Sequence, residues 1–283
     1  MYQKLQREVA ISGKSQSTLD NYARHVAHLV LHYNCPPTEL DAEQIKDYLH
    51  LVKEQGRSRS FFKFTVYGLR MVYRTLGQEE LRVALPAMSG SKALPVVLSQ
   101  QEVQRLLRAP NLLKHRIMLA LLYGCGLRNA ELRALRIEHL GFDRQQLHVH
   151  EGKGGRDRVL PLCDMLVRGI KKYIAVDHPT GYLFTGNSPQ DASPLSDVPC
   201  SAQAVRWSLA QAVNKAGINK RVSVHTLRHT YATHLLEMGL DIVSIKELMG
   251  HAAIETTMVY LQVATCGRSA AFSPLDKLYG QAR

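Results

Sequence analysis

Six side chains of this sequence can serve one reaction: Arg128, Lys153, His225, Arg228, His251 and Tyr260. Two arginines can grip the non-bridging oxygens of one phosphodiester, each with a forked, permanently charged guanidinium. Charge gathers on those oxygens as a fifth ligand approaches phosphorus, so arginines fixed there favour the transition state over the ground state. A tyrosine can attack phosphorus and become a covalent phosphotyrosine, which splits a hard transfer into two easier ones. Its ordinary pKa of about 10 calls for a nearby base or a strong positive field. His225 and the arginines can supply these. The leaving 5′ oxygen needs a proton, and Lys153 suits a general acid. His251 can donate a hydrogen bond to the phosphate. With arginine supplying the charge, no metal is required.

Taken singly, each residue has a plainer use. Tyr260 fits half-buried helix packing, Arg128 a salt bridge with Glu131, and Lys153 a solvated turn. His225, His229 and His234 invite a zinc reading, but HTLRH lacks the glutamate of the metalloprotease motif, and His234 falls off the face of His229. GKGG at 152–155 lacks the spacing of a phosphate-binding loop. Order and spacing together carry the argument that no single residue does.

The expected elements place these residues at ends and turns. A helical stripe runs through Leu19, Tyr22, Val26, Leu29 and Tyr33, capped by Ser17 or Thr18 and ended by Cys35, Pro36 and Pro37. Asp41 with Gln44 predicts a capping box for a second helix, and a third runs from about Ser60 to Leu76, stopping at Gly77. Residues 1–16 are polar and without a clear period. The span 1–82 thus reads as a small helical unit, and the Pro- and Gly-bearing stretch 83–98 as a linker. A second unit, 99–265, opens at a Ser99–Glu102 capping box, followed by an apolar core helix over 111–123. Arg128 sits at a glycine break before a short helix; 146–151 and 157–162 read as strands, with Lys153 at the turn between them. Helices follow near 164–176, from Ser201 to Ala216, from His225 to Gly239, from Asp241 to Gly250, and from Ile254 through Tyr260. Residues 266–283 form a tail ending in SPLDKLYG. The fold class is mainly α with a small β-sheet.

Composition limits the partners. Of 283 residues, 36 are basic and 24 acidic, a net charge of +12 that favours a polyanion. No run approaches a membrane span and no signal peptide is visible, so a soluble cytoplasmic protein with no membrane role is expected. Five well-separated cysteines without a CxxC argue against both a disulfide framework and a zinc ribbon. Lys14 before the first helix and Arg57, Arg59 and Lys63 at the start of the third are candidate DNA contacts, or else a solvated charged face.

The order Arg, Lys, His-x-x-Arg, His, Tyr resembles the tyrosine recombinase (phage-integrase) family. The matching segments are GCGLRNAEL, EGKGGRDRVLPL, HTLRHTYATHLLEMG and ELMGHAAIETTMVY, with 23 residues from Arg228 to His251 and nine from His251 to Tyr260. Within the family the chain is most similar to integron-type and transposon-associated integrases, though it lacks the integron insert ahead of the His-x-x-Arg box and has YLQV where YTHV is common. The resemblance implies a helical, SAM-like core-binding domain and a catalytic domain closing on duplex DNA as a clamp. It implies Arg128 and Arg228 as the phosphate clamp, Lys153 as general acid, His225 and His251 as phosphate ligands with proton-transfer roles, and Tyr260 as the nucleophile of a 3′-phosphotyrosyl intermediate. It further implies four protomers on two duplex recombination sites, with room for accessory proteins, no cofactor and no ATP, and a tail that docks on a neighbouring protomer. Two alternatives use the same residues: a type IB topoisomerase that only relaxes DNA, and a DNA-binding protein that has lost catalysis.

Overall fold

The computed structural model of the chain describes residues 2–88, 94–152, 156–186 and 197–264. Lys153, Cys266 and the tail 266–283 lie outside the described residues. The chain divides into two compact units, Met1–Lys92 and Ala93–Arg283.

The first unit is helical. Helix α1 (Tyr2–Ile11) corrects the reading of 1–16 as patternless: Leu5 and Val9, one turn apart, are both buried. Two apolar residues are too few to reveal a period, and tertiary packing supplies what propensity does not. Helix α2 (Gln16–Tyr33) begins after Ser15 rather than at Ser17 or Thr18. Helix α3 (Ala42–Glu54) carries the expected capping box, with the Gln44 amide donating to Asp41 Oδ1 at 2.8 Å and the Asp41 amide to Gln44 Oε1 at 3.0 Å. Helix α4 (Arg59–Leu76) is capped by Ser58 and closed by Gly77. Val26 and Leu29 of α2, Leu49 of α3, and Val66, Leu69 and Tyr73 of α4 form the centre of this core. A short α5 (Glu79–Ala84) was not foreseen; its six residues fall in a stretch too short and polar to show a pattern.

The stretch 83–98 is packed at both ends. Leu85 is buried in the first core, and Arg70 donates to the carbonyls of Leu85 and Pro86. At the other end Leu98 is fully buried in the second unit.

The second unit opens with α6 (Gln100–Arg108), held by the Ser99–Glu102 capping box. Helix α7 (Leu113–Gly124) is the expected core helix, with Ile117, Leu119, Leu121 and Leu122 buried. After the turn at Gly126 comes α8 (Asn129–Arg133), then an antiparallel sheet in the order β1 (Leu140–Gly141), β2 (Gln146–Gly152), β3 (Arg156–Pro161). The two-residue β1 was not foreseen. Leu147 faces Leu160 across β2 and β3, and both are fully buried. Helices α9 (Asp164–Asp177) and α10 (Ala202–Lys215) complete the main core.

Helix α11 (Val224–Glu237) starts at Ser223, which exchanges hydrogen bonds with Thr226. Its far face anchors the entering strap: the Leu98 amide donates to Thr230 Oγ1 at 3.1 Å, and His234 bridges the Leu98 carbonyl (3.0 Å) and the Tyr123 hydroxyl (2.9 Å). Asp241 caps α12 (Ile242–Met249) by accepting from the Val243 and Ser244 amides. Helix α13 (Glu255–Met258) runs into a 3-10 turn, Val259–Gln262, that carries Tyr260. Tyr231, Ala232, Ile245, Met249 and Tyr260 form a second core beneath this turn.

Candidate active site

The centre of the site is a carboxylate, Glu131, ringed by three arginines. Arg128 occupies the N-cap of α8; its amide donates to Glu131 Oε2 at 2.8 Å and its Nη1 to Oε1 at 2.6 Å. Arg158, from β3, forks onto the same carboxylate at 2.9 and 2.8 Å. Arg228 Nη1 stands 3.9 Å from Glu131 Oε2. Burial raises the Glu131 carboxyl, but hydrogen bonds from Arg158 and Arg128 outweigh it and hold the group down at about 2. Three guanidiniums against one carboxylate leave positive charge to spare, which a phosphate can neutralise.

Carbonyls at two glycine turns aim the arginines. Arg228 Nη1 donates to Gly126 O at 2.5 Å and its Nη2 to Met249 O, while Arg128 Nη2 donates to Gly250 O at 3.1 Å. Both glycines have positive φ, +59° at Gly126 and +58° at Gly250, where a side chain is strained. A Cβ at Gly126 would also fall 2.4 Å from the Tyr231 ring. Arg158 Nε donates to Leu248 O at 2.9 Å, tying β3 to the end of α12. The Arg228 side chain is 4% exposed and that of Arg128 18%, so Arg128 is the more open of the two. Burial, with Arg128 beside it, brings Arg228 down to about 10. An open concavity of about 650 Å³ bordered by Arg128, Arg136, His139 and His150 adjoins this corner.

Helix α11 presents His225, Arg228 and His229 within one turn. His225 is exposed, and its ring lies 6.4 Å from that of His229. Tyr260 is 1% exposed, with its hydroxyl 3.1 Å from His229 Nδ1. Burial raises its pKa, opposed by Arg228 and Arg128. The His251 ring stacks on Tyr260 at 6.4 Å and 21°, and its Nδ1 lies 2.9 Å from Thr257 Oγ1. Burial, then Arg228 and Arg128, push His251 down to about 4, so it is neutral at physiological pH.

Five of the six expected residues therefore meet in one place, and Lys153 falls outside the described residues. Three neighbours carry more than the sequence suggested. Glu131 was foreseen only as a salt-bridge partner of Arg128, and it is also the seat of Arg158. Arg158 looked like an ordinary strand residue. His229 was weighed only as a metal ligand, although it stands one turn beyond His225. Among the described residues, no group of three or more His, Cys, Asp or Glu is placed to hold a metal ion, and no helix is long and apolar enough to cross a membrane.

The candidate DNA contacts of the first unit do not form one patch. Arg57 and Arg59 line a groove of about 740 Å³ together with Lys46, His50 and Lys53. Lys14 lines a separate groove of about 760 Å³ with Arg70, Arg74 and Arg82. Lys63 lies over the Tyr67 ring and Arg57 over Phe61.

A tyrosine buried against histidine beside clustered arginines, in a helical unit with a small antiparallel sheet, defines a class of enzyme that breaks and rejoins DNA strands. Two family profiles match, "Phage integrase family" over residues 96–266 and "Phage integrase, N-terminal SAM-like domain" over residues 1–82. The chain belongs to the phage integrase family, the tyrosine recombinases. It is 34% identical over 256 residues to tyrosine recombinase XerA of Thermococcus onnurineus (strain NA1), covering 89% of this chain and 87% of that protein. A crystal structure of XerA recombinase superposes with a TM-score of 0.53 at 26% identity, covering 99% of this chain and 98% of that one. The fold is also that of XerH site-specific recombinase bound to palindromic difH substrate in a post-cleavage complex: TM-score 0.71, 17% identity, 87% of this chain and 76% of that one. The relatives are recombinases and integrases, so neither the relaxation-only nor the non-catalytic alternative is favoured.

Proposed function

We propose that this recombinase exchanges strands between two duplex DNA sites through a 3′-phosphotyrosyl intermediate at Tyr260. Arg128 and Arg228 hold the non-bridging oxygens of the scissile phosphate, and His225 and His251 donate hydrogen bonds to it. Lys153 protonates the departing 5′ oxygen. The phosphotyrosine conserves the bond energy, so religation needs no ATP, and the arginines supply the charge a metal would otherwise bring. The observation that carries this reading is the placing of the Tyr260 ring beside His251 and under the field of Arg128 and Arg228.

The helical domain (1–82) and the catalytic domain (99–265), joined by the linker (83–98), close around duplex DNA as a clamp. Lys14, Arg57, Arg59 and Lys63 belong to its phosphate contacts. Two duplexes are held by four protomers in the cytoplasm, and the tail 266–283 packs on a neighbouring protomer. Such phosphate contacts make affinity fall steeply with salt.

The test is covalent trapping. Duplexes enriched from a random-sequence pool by binding to the full chain are nicked a few bases 3′ of the cleavage phosphate, so that the released fragment diffuses away. A denaturation-resistant protein–DNA band is expected, absent in Tyr260→Phe. A band that persists in Tyr260→Phe refutes the assignment.

A further inference from the structure

Two histidine rings lie against Tyr260, those of His229 and His251, and among the described residues only His229 is placed within hydrogen-bond distance of its hydroxyl. His225 is exposed on the first turn of α11. His251 lies flat along the tyrosine ring and spends Nδ1 on Thr257. His229 places Nδ1 3.1 Å from the tyrosine oxygen, with the two rings 5.7 Å apart at 55°. That is hydrogen-bond distance to the atom that must lose a proton during cleavage.

We infer that His229 is a catalytic residue, the base that takes the Tyr260 proton during cleavage and returns it during religation; the inference rests on the phosphotyrosine reading. As Tyr260 Oη bonds to phosphorus, the bond from phosphorus to the 5′ oxygen breaks. The hydroxyl proton passes to Nδ1, and the 5′ oxygen takes its own proton from the general acid. In religation the 5′ hydroxyl attacks the phosphotyrosine and returns its proton to the deprotonated general acid, the bond from phosphorus to Tyr260 Oη breaks, and the imidazolium hands its proton back to the tyrosine oxygen. Nδ1 can accept only when the ring is neutral with its hydrogen on Nε2. The surroundings favour that form: burial first, then His225 and Arg228, lower the His229 pKa. The titratable and charged groups of this corner are His225 and Arg228 on the same helix, Tyr260 on the 3-10 turn, His251 after α12, Arg128 before α8, and, behind the arginines, Arg158 on β3 and Glu131 on α8. The cations among them oppose charging of His229 in the resting site. Once a phosphate neutralises the arginines, that opposition weakens, so DNA binding itself strengthens the base.

The experiment measures single-turnover adduct formation on the same nicked duplexes, from pH 5 to 9, for wild type, His229→Ala and His229→Gln. Wild type should rise through one titration and reach a plateau. His229→Ala should lose about 100-fold at pH 7, the usual scale for a lost general base. Its rate should then climb about tenfold per pH unit as hydroxide takes over. His229→Gln keeps a side chain able to bond the tyrosine but cannot carry its proton away, so it should be as slow as the alanine variant. DNA affinity should stay within about twofold for both. Should His229→Ala fail to fold, the glutamine variant decides alone. Recovery of the wild-type plateau by glutamine, or rates within about threefold of wild type in either variant, overturns the proton-acceptor role. A wild-type chain that forms no adduct overturns the phosphotyrosine reading and this step with it; adducts from wild type and unimpaired His229 variants overturn this step alone.

Discussion

Replacing Glu131 by glutamine tests the arrangement of the arginines. The carboxylate takes both nitrogens of the Arg158 fork, a side chain and an amide from Arg128, and faces Arg228. Its pKa falls from the ordinary 4.5 to about 2. At 1.36 kcal/mol per unit, a drop of this size stabilises the fold at neutral pH by about 3 kcal/mol. The side chain is only 6% exposed, so solvent screening removes little of it. Leaving buried guanidiniums without their counter-charge gives a similar scale, about 3–5 kcal/mol. For a domain of roughly 150–250 residues each kcal/mol moves Tm by about 2–4 °C, so Glu131→Gln should lower the melting of the second unit by about 6–12 °C.

The sign of the pH dependence is fixed by the direction of the shift. A depressed carboxyl stabilises above its unfolded pKa and loses that contribution as pH falls toward its folded one. The gap between wild type and variant should therefore be constant from pH 8 to 5 and shrink below 4.5. On the same arithmetic it falls to about 1.5 kcal/mol by pH 3. Urea denaturation at pH 7, 5 and 3, following tryptophan fluorescence from the single Trp207 in the second unit, measures it directly. A gap under 1 kcal/mol at pH 7, or one that does not narrow by pH 3, would refute the reasoning.

Gly126→Ala should destabilise the second unit by about 2–4 kcal/mol, since left-handed backbone strain and the collision with Tyr231 act together; a melting shift under 2 °C would contradict this. Arg158→Met keeps the aliphatic stem but removes the fork on Glu131 and the bond to Leu248 O. Covalent trapping should slow at least tenfold with DNA affinity within about threefold, because Arg158 sets the geometry of Arg128 and the turn at Gly250; an unchanged rate would make Arg158 a scaffold residue only.

What the sequence made legible was local. Asp41 with Gln44, Ser99 with Glu102, and Asp241 before α12 are recognisable because the cap side chain and the amide that donates to it lie within three residues of each other. Order and spacing singled out six residues, which no composition argument supplies, and the five of them that the structure describes lie together. The illegible part is long-range. Arg158 meets the Leu248 carbonyl 90 residues away, and Arg128 meets that of Gly250 122 residues away. Nothing in the strand pattern around Arg158 marks it as belonging to the site. His229 is a different failure: its spacing from His225 was visible, but the turn that folds Tyr260 back onto it was not. Helices α1 and α5 and strand β1 escaped because each buries too few residues to leave a period. Lys14 and Arg57 were grouped as cations just ahead of helix starts, and the turns before α2 and α4 place them in different grooves.

The bonds holding Leu98 to Thr230 and His234 set an order on events during synthesis. They join residues 132 and 136 positions apart, and Lys220 adds a grip on the Val97 carbonyl across 123. The helical unit closes on contacts made within its first 92 residues and can fold as soon as it leaves the ribosome. The strap at 97–98 has no seat until α11 emerges, long after its own synthesis. Until then the newborn helical unit is tethered to an unanchored chain, and the anchor point and the helix that carries His225, Arg228 and His229 become fixed in the same late event. A fragment begun at Ser99 would never reach that event. It would leave the Thr230 and His234 side chains without the backbone partners that Leu98 provides, on the very helix that holds Arg228.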